Sequence, residues 1–118
     1  MADLPNMNLD ELAVFKSLAA SNEDGPVLML NLNRYGPEAG YPDGAVYREY
    51  MTVLDQLVAE VGGRILWRTN IQGTLVGTQH IHEALGIWYP SHQAFLDIMT
   101  APSACLLYTS PSPRDGDE

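Results

Sequence analysis

Four residues carry the side chains best suited to chemistry in this sequence: Asn31, Arg34, Tyr50 and His92. Asn31 lies inside the apolar run Pro26-Val-Leu-Met-Leu-Asn-Leu-Asn33. A buried amide must be hydrogen-bonded, so Asn31 either orients a ligand or makes a polar contact to a loop or across a dimer. Arg34 ends that run beside a loop rich in Gly, Pro and Tyr. Its guanidinium suits a carboxylate or enolate, and the plain alternative is a salt bridge to Glu38 or Glu49. Tyr50, with Tyr47, falls at core spacing on a helix, where a hydroxyl either points into a cleft or forms the wet tip of a core residue. His92 follows a helix cap and is either a general base at neutral pH or a first-turn surface residue.

Weaker signals surround these four. His80 and His82, with Glu83, invite a metal reading because residues i and i+2 of a strand share a face. No third ligand is evident, so no metal site is assigned. Trp67 and Trp88 suit interface packing better than a pocket, and Arg68 reads as part of a solvated face. The sequence lacks a phosphate-binding glycine loop, a dinucleotide fingerprint, a nucleophilic serine elbow and any pair of carboxylates that stands out from the general acidity. No cofactor is expected.

The elements that must position these residues follow from periodicity. Leu9, Leu12, Phe15 and Leu18 recur at helical spacing behind Asn8, a good N-cap. The Pro26–Asn33 run reads as a strand buried on both faces, although a chain this short has little to spare for a second layer, which points to a dimer. Asp43 is the expected cap of a long helix carrying Tyr47, Tyr50, Met51, Leu54, Leu57, Val58 and Val61, stopped by Gly62-Gly63. Arg64 to Gly77 reads as a strand interrupted near Gly73, with Thr74-Leu-Val-Gly77 extended. Ile81 to Tyr89 reads as another strand, and Ser91 caps a helix running through Met99. The order is a helix followed by β-α-β-β-α, an α+β class that matches the split βαβ, ferredoxin-like βαββαβ pattern with an antiparallel sheet, an extra N-terminal helix and the final strand missing.

Composition bounds the rest. The 118 residues suffice for one domain, and an apolar share of 46% is that of an ordinary globular chain. No apolar run approaches the ~20 residues needed to cross a bilayer. The N-terminus lacks the basic and apolar regions of a signal peptide, so the expected compartment is the cytoplasm. A formal net charge of −9 argues against a nucleic-acid partner.

The segment Cys105-Leu-Leu-Tyr-Thr-Ser-Pro-Ser-Pro-Arg-Asp115 continues none of these patterns, and it resembles the translation of a common transposase sequencing adapter without a mismatch. The resemblance implies a division into an N-terminal helix and linker (1–24), a domain truncated at its C-terminal end (25–104), and an artefactual tail (105–118). The one cysteine, Cys105, then leaves the functional argument. Residues 1–104 hold five basic and twelve acidic residues, a net charge of −7.

Four strings are familiar together: Met29-Leu-Asn-Leu-Asn-Arg-Tyr35, Val61-Gly-Gly-Arg-Ile-Leu-Trp67, Leu75-Val-Gly77 and Tyr89-Pro-Ser-His-Gln-Ala-Phe-Leu96. With them the sequence from about Gly25 to Ala104 resembles the DUF1330 family of the dimeric α/β-barrel superfamily. The resemblance implies a four-stranded antiparallel sheet with two helices on one face, two such sheets packing face to face as a homodimer. His82 and His92 depart from the family, which usually has an acidic residue at the first position and often Arg at the second. The superfamily includes cofactor-free monooxygenases, lactone isomerases and haem enzymes, so the fold selects no single chemistry.

Two functions are compatible with these readings. One is a cofactor-independent enzyme acting on a small carbonyl-bearing or aromatic molecule, with Asn31, Arg34 and Tyr50 converging on an apolar cleft. The other is a non-catalytic homodimeric module that binds a small molecule or serves as an accessory protein.

Overall fold

The computed structural model describes residues 8–104. Helix α1 spans Leu9–Ala19, and the Asn8 side chain caps it by accepting the Glu11 N–H at 3.1 Å. Strand β1 covers Val27–Asn33, and a short 3-10 turn at Pro37–Ala39 leads to helix α2, Ala45–Glu60. Strands β2, Arg64–Asn70, and β3, Glu83–Tyr89, follow. Helix α3, His92–Leu96, passes directly into a 3-10 turn at Asp97–Thr100. The expected single helix through Met99 is thus two short pieces. Ser91 caps α3 as expected, its hydroxyl accepting the Ala94 N–H at 3.0 Å.

The three strands form an antiparallel sheet in the order β1–β3–β2. Their alternation decides which residues meet. Val27, Met29, Asn31 and Asn33 pair with Tyr89, Ile87, Leu85 and Glu83 on one face. On that face α2 lays Tyr47, Met51, Leu54 and Val58 against Leu85 and Ile87, both fully buried. Burying a side chain of this size contributes roughly 1.5–3 kcal/mol, so this layer carries most of the core. Gly62 closes α2 with φ at +82°, a conformation open to glycine at little cost. A β-bulge between Ile65 and Trp67 lets β2 turn Ile65 to the core face and Trp67 to the other.

Three expectations need correction. The N-cap of α2 is Gly44, not Asp43, and no side chain caps it. Thr74 to Gly77 is not strand. It belongs to an irregular connection from Ile71 to His82 in which Leu75 and Val76 are almost wholly exposed, because none of the described strands runs beside them. Strand β3 starts at Glu83 rather than Ile81, so His80 and His82 do not share a strand face. As the shortage of a second layer implies, the described residues bury only one face of β1, leaving Leu28 at 53% and Leu30 at 60% exposure on the other.

The N-terminal helix docks onto α3. The Phe15 ring packs 4.7 Å from the His92 ring and 5.3 Å from Phe95. Among the described residues no helix is long and apolar enough to cross a membrane, and no cluster of three His, Cys, Asp or Glu side chains is placed to hold a metal ion. The tail at 105–118, with Cys105, lies outside the described residues.

Candidate functional site

The least expected residue in the structure is a buried carboxylate. Glu83 opens β3 opposite Asn33 on one neighbouring strand and Asn70 on the other, and it is only 3% exposed. Burying an unpartnered carboxylate costs several kcal/mol, so this position persists only because both oxygens are satisfied. The Tyr35 hydroxyl donates to Oε1 at 2.6 Å. The Tyr47 hydroxyl, from α2, donates to Oε2.

Both tyrosines are held from several sides. The Tyr35 backbone N–H donates to His82 Nδ1 at 2.8 Å, and Asn33 Nδ2 donates to the Tyr35 hydroxyl oxygen at 3.1 Å. The Tyr35 ring stacks on Tyr41 at 5.0 Å and meets Tyr47 edge-on at 5.1 Å. Tyr41 meets Tyr47 edge-on at 4.9 Å and donates its own hydroxyl to Asn70 Oδ1. The loop after β1, helix α2 and the end of β2 are thereby pinned around one carboxylate. Asn33 is 1% exposed, and its Oδ1 has no hydrogen-bond partner among the described residues.

The electrostatics keep the phenols protonated. Burial pushes the Tyr35 hydroxyl far above its ordinary pKa, and the hydrogen bond to Glu83 and its charge push it further. Tyr47 is raised for the same reasons in the same order, with Arg68 acting in the opposite direction. Tyr41 is raised by burial and then by the charge of Glu83, again opposed by Arg68.

Beside this cluster lies an open cleft of about 370 Å³ lined by Pro42, Tyr47, Arg68, Thr69, Asn70 and Glu83. Tyr47 and Glu83 belong to both the network and the cleft, so the network is reachable by a ligand. Arg68 pairs with Leu85 in the sheet register and therefore lies on the helix side of the sheet. It is exposed, and no hydrogen bond or ion pair to another described residue engages its guanidinium.

The residues picked from sequence are distributed around this site. Asn31 is half-buried on the same face as Asn33, one pair further along β1. Arg34 is half-buried between Asn33 and Tyr35. The Tyr50 ring lies 6.4 Å from Tyr35, at the margin of the aromatic cluster. His92 is elsewhere, beyond the opposite end of β3. There its Nδ1 lies 2.7 Å from Asp24 Oδ1, and Asp24 also accepts the His92 and Gln93 backbone N–H groups. Sequence reading placed Glu83 only in a metal motif and missed Tyr35, Tyr41 and Asn70. The available signal was the period-two set Glu83, Leu85, Ile87, Tyr89, which puts a carboxylate on an apolar face.

The architecture has a counterpart of known structure. The chain shares its fold with a protein of unknown function. That protein, RPA0582 from Rhodopseudomonas palustris, a structural genomics target, matches with a TM-score of 0.64 at 26% identity, over 86% of this chain and 81% of that one. Methylated RPA0582 matches with a TM-score of 0.65 at 26% identity, over 91% and 83%. No protein-family model and no curated protein matches the sequence.

Proposed function

We propose that the cleft is the active site of a cofactor-independent enzyme that moves a proton on a small carbonyl-bearing or aromatic molecule. One observation carries this reading: the Tyr47 hydroxyl, which lines the cleft, donates its proton to the carboxylate of Glu83. A phenol that donates inward presents its oxygen lone pairs outward. A proton leaving a ligand passes to the Tyr47 oxygen as the Tyr47 proton passes to Glu83, and the reverse transfer returns it. No free tyrosinate forms, in keeping with the raised Tyr47 pKa. Positioned proton transfer of this kind contributes typically 10²–10⁴-fold. Asn31, Arg34 and Tyr50 stay in this reading as flanking candidates.

The test is exchange of solvent deuterium into the acidic C–H positions of a panel of small ketones, 2-oxo acids and phenols, followed by NMR. Exchange with the native chain and its loss in Glu83→Gln, with the variant still folded by its NMR spectrum, is the expected result. Equal exchange in the two proteins would overturn the reading.

A second reading, a homodimeric binding module of the DUF1330 type with paired ferredoxin-like sheets in a cytoplasmic setting, is favoured by the open sheet face. Leu28, Leu30 and Trp67 stand exposed there by 53%, 60% and 43%. Contiguous apolar surface of this kind marks an interaction site more often than a bare face. Light scattering checks it: a dimer that Leu30→Glu converts to a monomer supports the reading, and a monomeric native chain refutes it.

A further inference from the structure

The cleft combines a carboxylate at its floor with a guanidinium in its wall that no described residue engages by hydrogen bond or ion pair, and that arrangement orders a ligand by charge. Glu83 repels any anionic group brought to the floor. Arg68 offers a planar fork of donors matched to a carboxylate. The Oδ1 of Asn70 is taken by Tyr41, so that residue keeps its NH₂ group as a further donor. A ligand that satisfies all three must place an anion outward and a neutral, proton-bearing group inward. The space, about 370 Å³, lies near the lower end of the ~300–1,000 Å³ usual for small-molecule sites. It amounts to roughly a dozen water volumes at about 30 Å³ each.

We infer that the cleft binds a small carboxylate bearing a hydroxyl or enol group on the adjacent carbon, a 2-hydroxy acid or the enol form of a 2-oxo acid. Its carboxylate rests on Arg68 and its hydroxyl donates to Tyr47. The inference deepens the proton-transfer reading above and rests on it for the identity of the site. The chain as a whole is acidic, with a net charge of −9, so Arg68 is a local exception rather than part of a basic patch. Binding is therefore expected to be specific to this guanidinium and weakened by salt.

Titration of the full chain with lactate, pyruvate and the neutral analogue lactamide, followed by amide and arginine side-chain NMR, tests this. Lactate is expected to shift the Arg68 and Tyr47 signals, and pyruvate, whose keto oxygen carries no proton, chiefly those of Arg68. Lactamide should bind at least tenfold more weakly. Arg68→Gln should weaken the two acids by at least tenfold without changing the melting temperature, while Arg68→Lys retains part of the affinity. Tyr47→Phe should remove the advantage of lactate over propionate. Equal binding of lactate and lactamide, indifference to Arg68→Gln, or no binding of any of the three overturns the inference. The two proposals fail separately. Arg68-dependent binding without deuterium exchange leaves this inference standing and defeats the proton-transfer reading. Glu83-dependent exchange on neutral ketones, with no preference for acids, does the opposite.

Discussion

Tyr35 donates a 2.6 Å hydrogen bond to Glu83, a residue 48 positions further along the chain. The bond ties the exit of β1 to the entry of β3 and places a carboxylate where the sheet would otherwise bury an apolar side chain. The same carboxylate is held by Tyr47 from α2, so three separate segments depend on it. The cluster is at once a structural clamp and the floor of the cleft.

Removing one donor should therefore be expensive. A hydrogen bond to a charged group contributes about 1.5–3 kcal/mol, and Tyr35→Phe also strands the Asn33 amide that donates to its oxygen. Urea unfolding is expected to show a loss of about 2 kcal/mol for Tyr35→Phe. Tyr41→Phe, which keeps the ring stacking and removes one exposed bond, should lose less. A cost for Tyr35→Phe no larger than that for Tyr41→Phe would mean that Glu83 does not depend on Tyr35.

The phenols also set an alkaline limit. Tyr35 and Tyr47 have pKa values raised above the ordinary 10.0 in the folded chain. A group whose folded pKa is raised contributes stability that is complete below its unfolded value and is lost as pH rises beyond it. Stability should accordingly be flat through neutral pH and fall from about pH 10 upward. Ring-carbon NMR of labelled tyrosine should show Tyr35 and Tyr47 ionising only as the chain unfolds. Independent titration of either near pH 10 in a folded protein would contradict the buried hydrogen bonds.

How much of this could be read from sequence varies from residue to residue. Helix α2 was legible because Tyr47, Met51, Leu54 and Val58 bury one stripe at helical spacing, and one-sided burial leaves a periodic trace. Thr74 to Gly77 was misread because Leu75 and Val76 have the composition of a strand, whereas strand formation needs a partner that this segment lacks. The buried role of Glu83 was not legible because it depends on hydroxyls from positions 35 and 47, and nothing local announces such distant donors. That Arg68 is solvated was legible, but the side of the sheet it takes was not, because the bulge between Ile65 and Trp67 shifts the alternation of β2 by one residue, an offset that sequence spacing does not encode.

Asp24 governs the other end of the molecule. Desolvation raises its pKa, but the hydrogen bonds from the His92 amide and ring and from the Gln93 amide outweigh it, so the net shift is downward from the ordinary 3.8. A depressed carboxyl pKa gives stability that is present above the ordinary value and lost as pH falls through the folded one. Acid should therefore loosen α3 first, and α1 with it, since Phe15 rests on His92 and Phe95. Hydrogen exchange below about pH 4 should rise in α1 and α3 before β3. Asp24→Asn should show the same loosening already at neutral pH, and uniform protection across the three elements would defeat the assignment.

Gly86 lies beneath the Trp67 ring on the open sheet face. A Cβ added there would overlap the Trp67 indole ring, which lies across it. Gly86 is not among the glycines with positive φ, so Gly86→Ala is expected to act through that overlap and not through backbone strain. Forcing extra volume into a packed site typically costs 1–3 kcal/mol. Trp67 is 43% exposed, so its ring has room to swing outward, and the lower part of that range, about 1 kcal/mol, is expected. A double-mutant cycle isolates the cause: in a Trp67→Ala background the cost of Gly86→Ala should vanish. An undiminished cost in that background would locate the constraint in the backbone of β3. The same substitution reports on association, because a displaced indole changes the apolar surface shared by Leu28, Leu30 and Trp67. If that surface joins two copies, Gly86→Ala should weaken the dimer in light scattering by more than it weakens the fold.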